Sequence, residues 1–150
     1  MPDRIIYSWE DFDKDILNIN NQITSSNWFP DYVVGVKRGG LIPAIKLSHI
    51  LQKPMIMMSY QSRDNDDNSI KLLEVESIPK NKNVLIVDDI CDSGTTFSNI
   101  IDKFISEGFQ SIKTCSLYYN NKQPFVIDYR VNHIDRNTDN RWIIFPWEVP

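Results

Sequence analysis

The sequence predicts an α/β fold built on a central, mainly parallel β-sheet flanked by helices. Three observations predict it. Short β-rich apolar runs alternate with longer segments whose apolar residues recur at helical spacing. Several of these runs are continuous rather than alternating, as expected of strands covered on both faces. Two polar, chemically loaded loops, at Lys37 and at Asp88, directly follow such runs. A parallel sheet of this kind binds its ligands beyond the carboxyl ends of its strands.

The elements follow in order. Ser8 is placed to cap a helix, with Asp11 three residues on, and Trp9, Phe12, Ile16, Ile19 and Ile23 recur along one face. The polar stretch from Thr24 to Asn27 ends it. Tyr32 to Val36 reads as a buried strand and Lys37-Arg38-Gly39-Gly40 as the loop after it. Leu41 to Leu51 reads as a helix, with Pro43 tolerated in the first turn. Met55 to Ser59 reads as a further strand. Gln61 to Ser69 is polar, acidic and aperiodic, so it reads as a loop long enough to be a lid, with a strand returning over Ile70 to Val75.

After a turn at Pro79 to Asn83, Val84-Leu85-Ile86-Val87 is the strongest strand of the chain. It leads into Asp88-Asp89-Ile90-Cys91-Asp92-Ser93-Gly94-Thr95-Thr96. A helix follows, with Phe97, Ile100, Ile101, Phe104 and Ile105 on one face and Gly108 as its stop. Ile112 to Leu117 reads as the next strand. The tail holds the apolar run Phe125-Val126-Ile127, a polar turn, and Trp142-Ile143-Ile144-Phe145-Pro146-Trp147. There is no internal repeat and no linker, so residues 1–150 read as one domain.

Composition narrows the function. With 150 residues, 41% hydrophobic and 24% charged, the chain has enough material for one cored domain. A net charge of -4 argues against a nucleic-acid binder, which needs a basic face. Cys91 and Cys115 lack the spacing of a zinc site. No run approaches the roughly 20 apolar residues of a membrane span, and the reading is a cytoplasmic protein with no stable membrane association.

The chemistry concentrates between Asp88 and Thr96. A buried strand delivers two adjacent carboxylates, whose side chains point to opposite sides. Such a pair needs hydrogen-bond donors or a cation, and sugar hydroxyls or hydrated magnesium are suitable. Asp92-Ser93-Gly94-Thr95-Thr96 is small, hydroxyl-rich and opens a helix, which suits a phosphate. The bland alternative is a strand, a turn and a well-capped helix of some other α/β protein.

Val84 to Thr96 resembles the phosphoribosyl pyrophosphate (PRPP) signature of the type I phosphoribosyltransferases: a hydrophobic strand, two acids, two variable residues, then Asp-Ser/Thr-Gly and a threonine. The resemblance implies that fold, with a small hood from the C-terminal tail and a flexible lid at about Tyr60 to Lys71. It implies that Asp88 and Asp89 hold the ribose hydroxyls and order Mg2+, and that Ser93, Gly94, Thr95 and Thr96 bind the 5-phosphate. Asp92 would handle a proton at N7 of the base; its alternative role is a plain cap. Val36-Lys37-Arg38-Gly39-Gly40 is similar to the family's pyrophosphate loop, in which Lys37 and Arg38 meet phosphate oxygens. By the same resemblance the Lys37–Arg38 peptide would be cis.

Within the family, the bacterial xanthine-guanine group resembles this chain along most of its length. The matching segments are Ile6-Tyr7-Ser8-Trp9, Arg38-Gly39-Gly40-Leu41-Ile42-Pro43, Ser59-Tyr60, and Trp142-Ile143 with Pro146-Trp147-Glu148. That resemblance implies Trp142 stacked on a purine, with main chain near Ile143 and Glu148 at its edge; the alternative for Trp142 is core packing. The group's lysine for the purine 6-oxo group is replaced by Tyr119. A neutral hydroxyl donates a weaker bond, so another base remains an alternative, as does a PRPP-binding regulator without catalysis. Family analogy also implies a homo-oligomer.

Overall fold

The first helix begins as its capping residues predict. In a computed structural model that describes residues 3–61, 69–71 and 75–148, Ser8 Oγ accepts from the Asp11 amide and Asp11 Oδ2 accepts from the Ser8 amide, each at 3.0 Å. This closes a capping box. The element order is β1 (Arg4–Ile6), α1 (Trp9–Ser25), β2 (Tyr32–Val36), α2 (Leu41–Leu51), β3 (Met55–Gln61), β4 (Ser69–Lys71), β5 (Asn83–Cys91), α3 (Thr95–Ser106), β6 (Ser111–Asn120), β7 (Tyr129–Ile134) and β8 (Trp142–Ile144).

Six strands form the central sheet in the order β4-β3-β2-β5-β6-β7. All neighbours in it are parallel except β3 and β4. The core divides by strand periodicity. Leu85 and Val87 of β5 face Phe12, Ile16, Ile19 and Ile23 of α1 and Ala44 and Leu47 of α2. Val84 and Ile86 face Phe97, Ile100 and Phe104 of α3. Because both faces are covered, β5 reads as an unbroken apolar run.

Several boundaries differ from expectation. β5 continues past Val87 through both acids to Cys91, because β6 pairs with it that far: Asp88 opposite Ser116, Ile90 opposite Tyr118 and Cys91 opposite Tyr119. β7 falls where a polar turn was expected. Among the described strands it pairs only with β6, at the sheet edge, so its sequence, Tyr-Arg-Val-Asn-His-Ile, needs little apolar periodicity. The apolar run Phe125 to Ile127 is irregular, with Phe125 stacked on Phe97 at 5.8 Å and Ile127 buried. The strand expected over Ile70 to Val75 is β4, Ser69–Lys71. Residues 72–74 lie outside the described residues, and Val75 is buried in a turn. The centre of the expected lid, residues 62–68, also lies outside them.

The hood expected from the tail has a second strand. β8 pairs in parallel with β1, Ile143 opposite Ile5, and the Tyr7 amide donates to the Ile144 carbonyl. One buried acid ties the hood to the main body. Asp15 Oδ2 accepts from the Tyr7 hydroxyl at 2.7 Å and from Asn132 Nδ2 at 2.8 Å. Burial, then the bond to Asp15, pushes the Tyr7 phenol far above its ordinary range. Among the described residues no helix is long and apolar enough to cross a membrane. Cys91 and Cys115 are buried free thiols.

Candidate active site

The carboxyl ends of β2 and β5 lie side by side, which brings the two chemically loaded loops together. The loop after β2 lies flat on the acidic end of β5. A Cβ on Gly39 would overlap the Asp89 carboxylate, and one on Gly40 would overlap the Val87 carbonyl and come within 2.9 Å of Asp88 Cα. Only glycine fits such an approach. The Gly40 amide donates to the Val36 carbonyl at 2.9 Å, which closes the loop tightly. The Lys37–Arg38 peptide is cis.

Asp88 and Asp89 project to opposite sides of β5, as their adjacency requires. Each lines a different cavity. Asp89 lines one of about 690 Å³ together with Arg38, Gly39, Trp142, Trp147 and Glu148. Asp88 lines one of about 200 Å³ with Asp92, Ser93, Gly94 and Thr96. Thr95 lines an adjoining hollow with Ser93, Gly94 and Phe125. The pair of acids is thus the partition between a larger space lined by Arg38 and two tryptophans and a small hydroxyl-rich one.

The acids are poised to meet a cation or donors. Burial, then the Asp89 charge, drives the Asp88 carboxyl well above the usual carboxylate range. Burial also raises Asp89, and the Glu148 carboxylate adds to the shift. The strand itself offers local support: the Asp89 amide donates to Asp88 Oδ1 at 2.8 Å. The neighbouring Cys91 thiol is pushed up to about 11 by burial, then by the Asp88 and Asp92 charges, so it stays protonated at neutral pH and is no nucleophile.

The small cavity sits at the start of α3. Its N-cap is Gly94, with φ at 82° and no side-chain cap bond. The N-cap residue therefore covers none of the first-turn amides, and the helix dipole adds to their attraction for an anion. Ser93 Oγ accepts weakly from the Thr95 amide at 3.3 Å. A Cβ on Gly94 would come within 2.5 Å of Gln123 Oε1 and 2.6 Å of Phe125 Cβ. Gln123, which the sequence did not single out, locks this covering loop through its amide nitrogen, which donates to the Phe125 carbonyl at 2.6 Å.

Asp92 does not cap the helix. Its carboxylate instead accepts from Arg136 Nε at 3.2 Å. Arg136 was also missed, because it lies in the polar turn beyond β7 and meets Asp92 only through the fold. On the other side, Trp142 is 66% exposed at the mouth of the larger cavity, which sets aside core packing. Ile143 is buried and pairs its backbone with Ile5. Glu148 is positioned by a bond from its amide to the Phe145 carbonyl at 3.0 Å. Tyr119 is not brought to this cavity: its ring lies under the Arg130 guanidinium, 4.5 Å from the centroid, and beside His133. Lys122 leans toward Asp135, 3.9 Å away.

Comparison with known proteins agrees with this geometry. Residues 5–150 match the model of the phosphoribosyl transferase domain. The chain is 27% identical, over 78% of its length and 70% of the relative's, to a xanthine-guanine phosphoribosyltransferase of Idiomarina loihiensis. It is 29% identical to one of Cereibacter sphaeroides, over 78% of this chain and 68% of that one. Among solved structures, a purine phosphoribosyltransferase from Pyrococcus horikoshii superposes with a TM-score of 0.80 and 32% identity, covering 98% of this chain and 96% of the other. The strand order, the paired acids, the glycine loop and these relatives converge, and the chain belongs to the phosphoribosyltransferase family.

Proposed function

We propose that this chain transfers the 5-phosphoribosyl group of PRPP to a free 6-oxopurine (guanine, xanthine or hypoxanthine), releasing pyrophosphate in purine salvage. The observation that carries the reading is the acidic pair standing between a cavity with Arg38, Gly39 and two tryptophans and a hydroxyl-lined one at the start of α3. A ribose bearing phosphate at one end and pyrophosphate at the other matches that arrangement.

In this reading Ser93, Gly94, Thr95 and Thr96 receive the 5-phosphate at the start of α3. Asp88 and Asp89 accept bonds from the ribose hydroxyls. Arg38, with Lys37 and the Gly39 amide, meets the pyrophosphate, and the Gly40 amide holds the loop closed on the Val36 carbonyl. Trp142 covers the flat face of the base, and main chain at Ile143 and Glu148 meets its edge. The C1–oxygen bond to pyrophosphate breaks as a bond from the base nitrogen to C1 forms. Charge builds on the departing pyrophosphate, where Arg38 stabilises it. Asp92 accepts the proton the base loses, and fixed positioning contributes much of the rate.

Mg2+ fits this site: a buried carboxylate, Asp89, beside a partly buried one, Asp88, both with raised proton affinity, suits an ion that takes one or two protein carboxylates and completes its shell with substrate oxygens and water. It would be held by Asp88 and Asp89, and would supply charge neutralisation for the leaving group. A cytoplasmic homo-oligomer is the assembly this reading implies.

The test is direct. Purified protein is incubated with Mg2+ and PRPP and, separately, hypoxanthine, guanine, xanthine, adenine, uracil or orotate, and nucleotide is measured. Turnover of a 6-oxopurine that stops without Mg2+ is expected. PRPP binding without turnover of any base would instead favour a regulator.

A further inference from the structure

We infer that Arg136 reads the 6-oxo group of the base, the task for which Tyr119 is not positioned. The inference rests on the 6-oxopurine reading and deepens it.

The guanidinium is held by three contacts. Nε donates to Asp92 Oδ1 at 3.2 Å, and Nη1 donates to the carbonyls of Arg141 at 2.6 Å and Asp139 at 3.3 Å. Its own amide donates to Asn120 Oδ1 at 3.3 Å, which fixes the start of the turn on β6. Arg136 therefore bridges the proposed proton acceptor to the residue immediately before Trp142. It thus lies between Asp92, which lines the smaller cavity, and the chain leading to Trp142 at the larger one, and in the proposed reading the base has its N7 edge at Asp92 and its face on Trp142. The Arg136 side chain is mostly buried, so its charge is less diluted by water than that of a surface arginine.

The chemistry of the purine edge completes the case. N7 and the 6-substituent lie side by side on one edge of the ring. When the base presents an N7 proton to Asp92, a 6-oxo group presents an acceptor next to it. On the guanidinium, Nη2 shares the edge that carries Nε, and none of the three contacts uses it. An acceptor beside Asp92 thus meets an oriented, charged donor. Adenine places an amino group there, donor against donor. A buried donor left unpaired is costly, and this is the kind of mismatch that sites discriminate strongly. Tyr119 has no part in this arrangement, because Arg130 of β7 covers its ring.

Wild type, Arg136→Gln and Arg136→Lys are compared in steady-state kinetics with hypoxanthine and PRPP, and in equilibrium binding of inosine and adenosine monophosphates, with thermal melts as folding controls. Wild type is expected to bind the inosine nucleotide more tightly than the adenosine nucleotide. Arg136→Gln should raise the hypoxanthine KM roughly ten- to a hundredfold, move the PRPP KM by less than about threefold, and abolish the nucleotide preference. Arg136→Lys should restore part of it. A folded Gln variant that keeps the preference, or one in which both KM values rise together, overturns the inference. If the Gln variant does not fold, a folded Lys variant with no preference does so. A wild type that binds neither nucleotide and turns over no base refutes the 6-oxopurine reading itself, a distinct outcome. A wild type that prefers adenine refutes the assignment of Arg136 alone if hypoxanthine is also a substrate.

Discussion

Gly39 and Asp89 occupy one another's space: the position a Cβ would take on Gly39 is filled by the Asp89 carboxylate. The glycine loop and the acidic strand are therefore a single fitted surface, and a change in either is transmitted to the other.

Gly39→Ala should leave the protein folded and lower kcat/KM by roughly a hundredfold, because the loop or the acid must shift by about an ångström. Gly108→Ala is the control. Unlike Gly39 it has positive φ, at 99°, and its nearest neighbour would be Lys80 Cγ at 4.0 Å. It should cost about 1 kcal/mol of stability and leave kcat unchanged. Equal activity loss in both variants would show that the fit between Gly39 and Asp89 is not what matters.

Asp88→Asn with Asp89→Asn should abolish turnover and PRPP binding while raising the melting temperature at neutral pH by a few degrees. Both folded-state pKa values are raised above the ordinary 3.8. The favourable contribution of the protonated pair is fully present below that value and is lost as pH rises through the folded values, so burying the pair costs more at higher pH than burying two neutral amides. The gain should shrink near pH 4. Melting curves of wild type and variant at the two pH values check this; a variant less stable at neutral pH contradicts it.

Trp142→Ala should raise the KM for the base roughly tenfold and leave that for PRPP nearly unchanged, since in the proposed reading the exposed indole meets only the base. Intrinsic fluorescence should also lose its response to added nucleotide. Parallel increases in both KM values would argue against stacking.

Asp15→Ala should destabilise the protein by roughly 2–4 kcal/mol, because it leaves the Tyr7 hydroxyl and Asn132 amide without their shared acceptor. The loss should appear in chemical denaturation. Asp15→Asn, which keeps one acceptor oxygen, should cost less.

What the linear sequence determined is local chemistry. The capping box at Ser8 and Asp11, the unbroken β5 core, the helical spacing of α3 and the two-acid-to-threonine run each depend on residues close in the chain, where periodicity and capping act directly. The Lys37 to Gly40 loop was legible for the same reason. The rest depends on contacts between distant residues. The extension of β5 to Cys91 needed the pairing of β6, and the polar strand β7 needed an edge to sit on. Asp15 became a hood anchor only through Tyr7 and Asn132. Tyr119 was turned aside by Arg130, and Arg136 was carried to Asp92 across 44 positions. No local pattern encodes such meetings, because they arise from sheet register and the packing of a turn against a neighbouring loop.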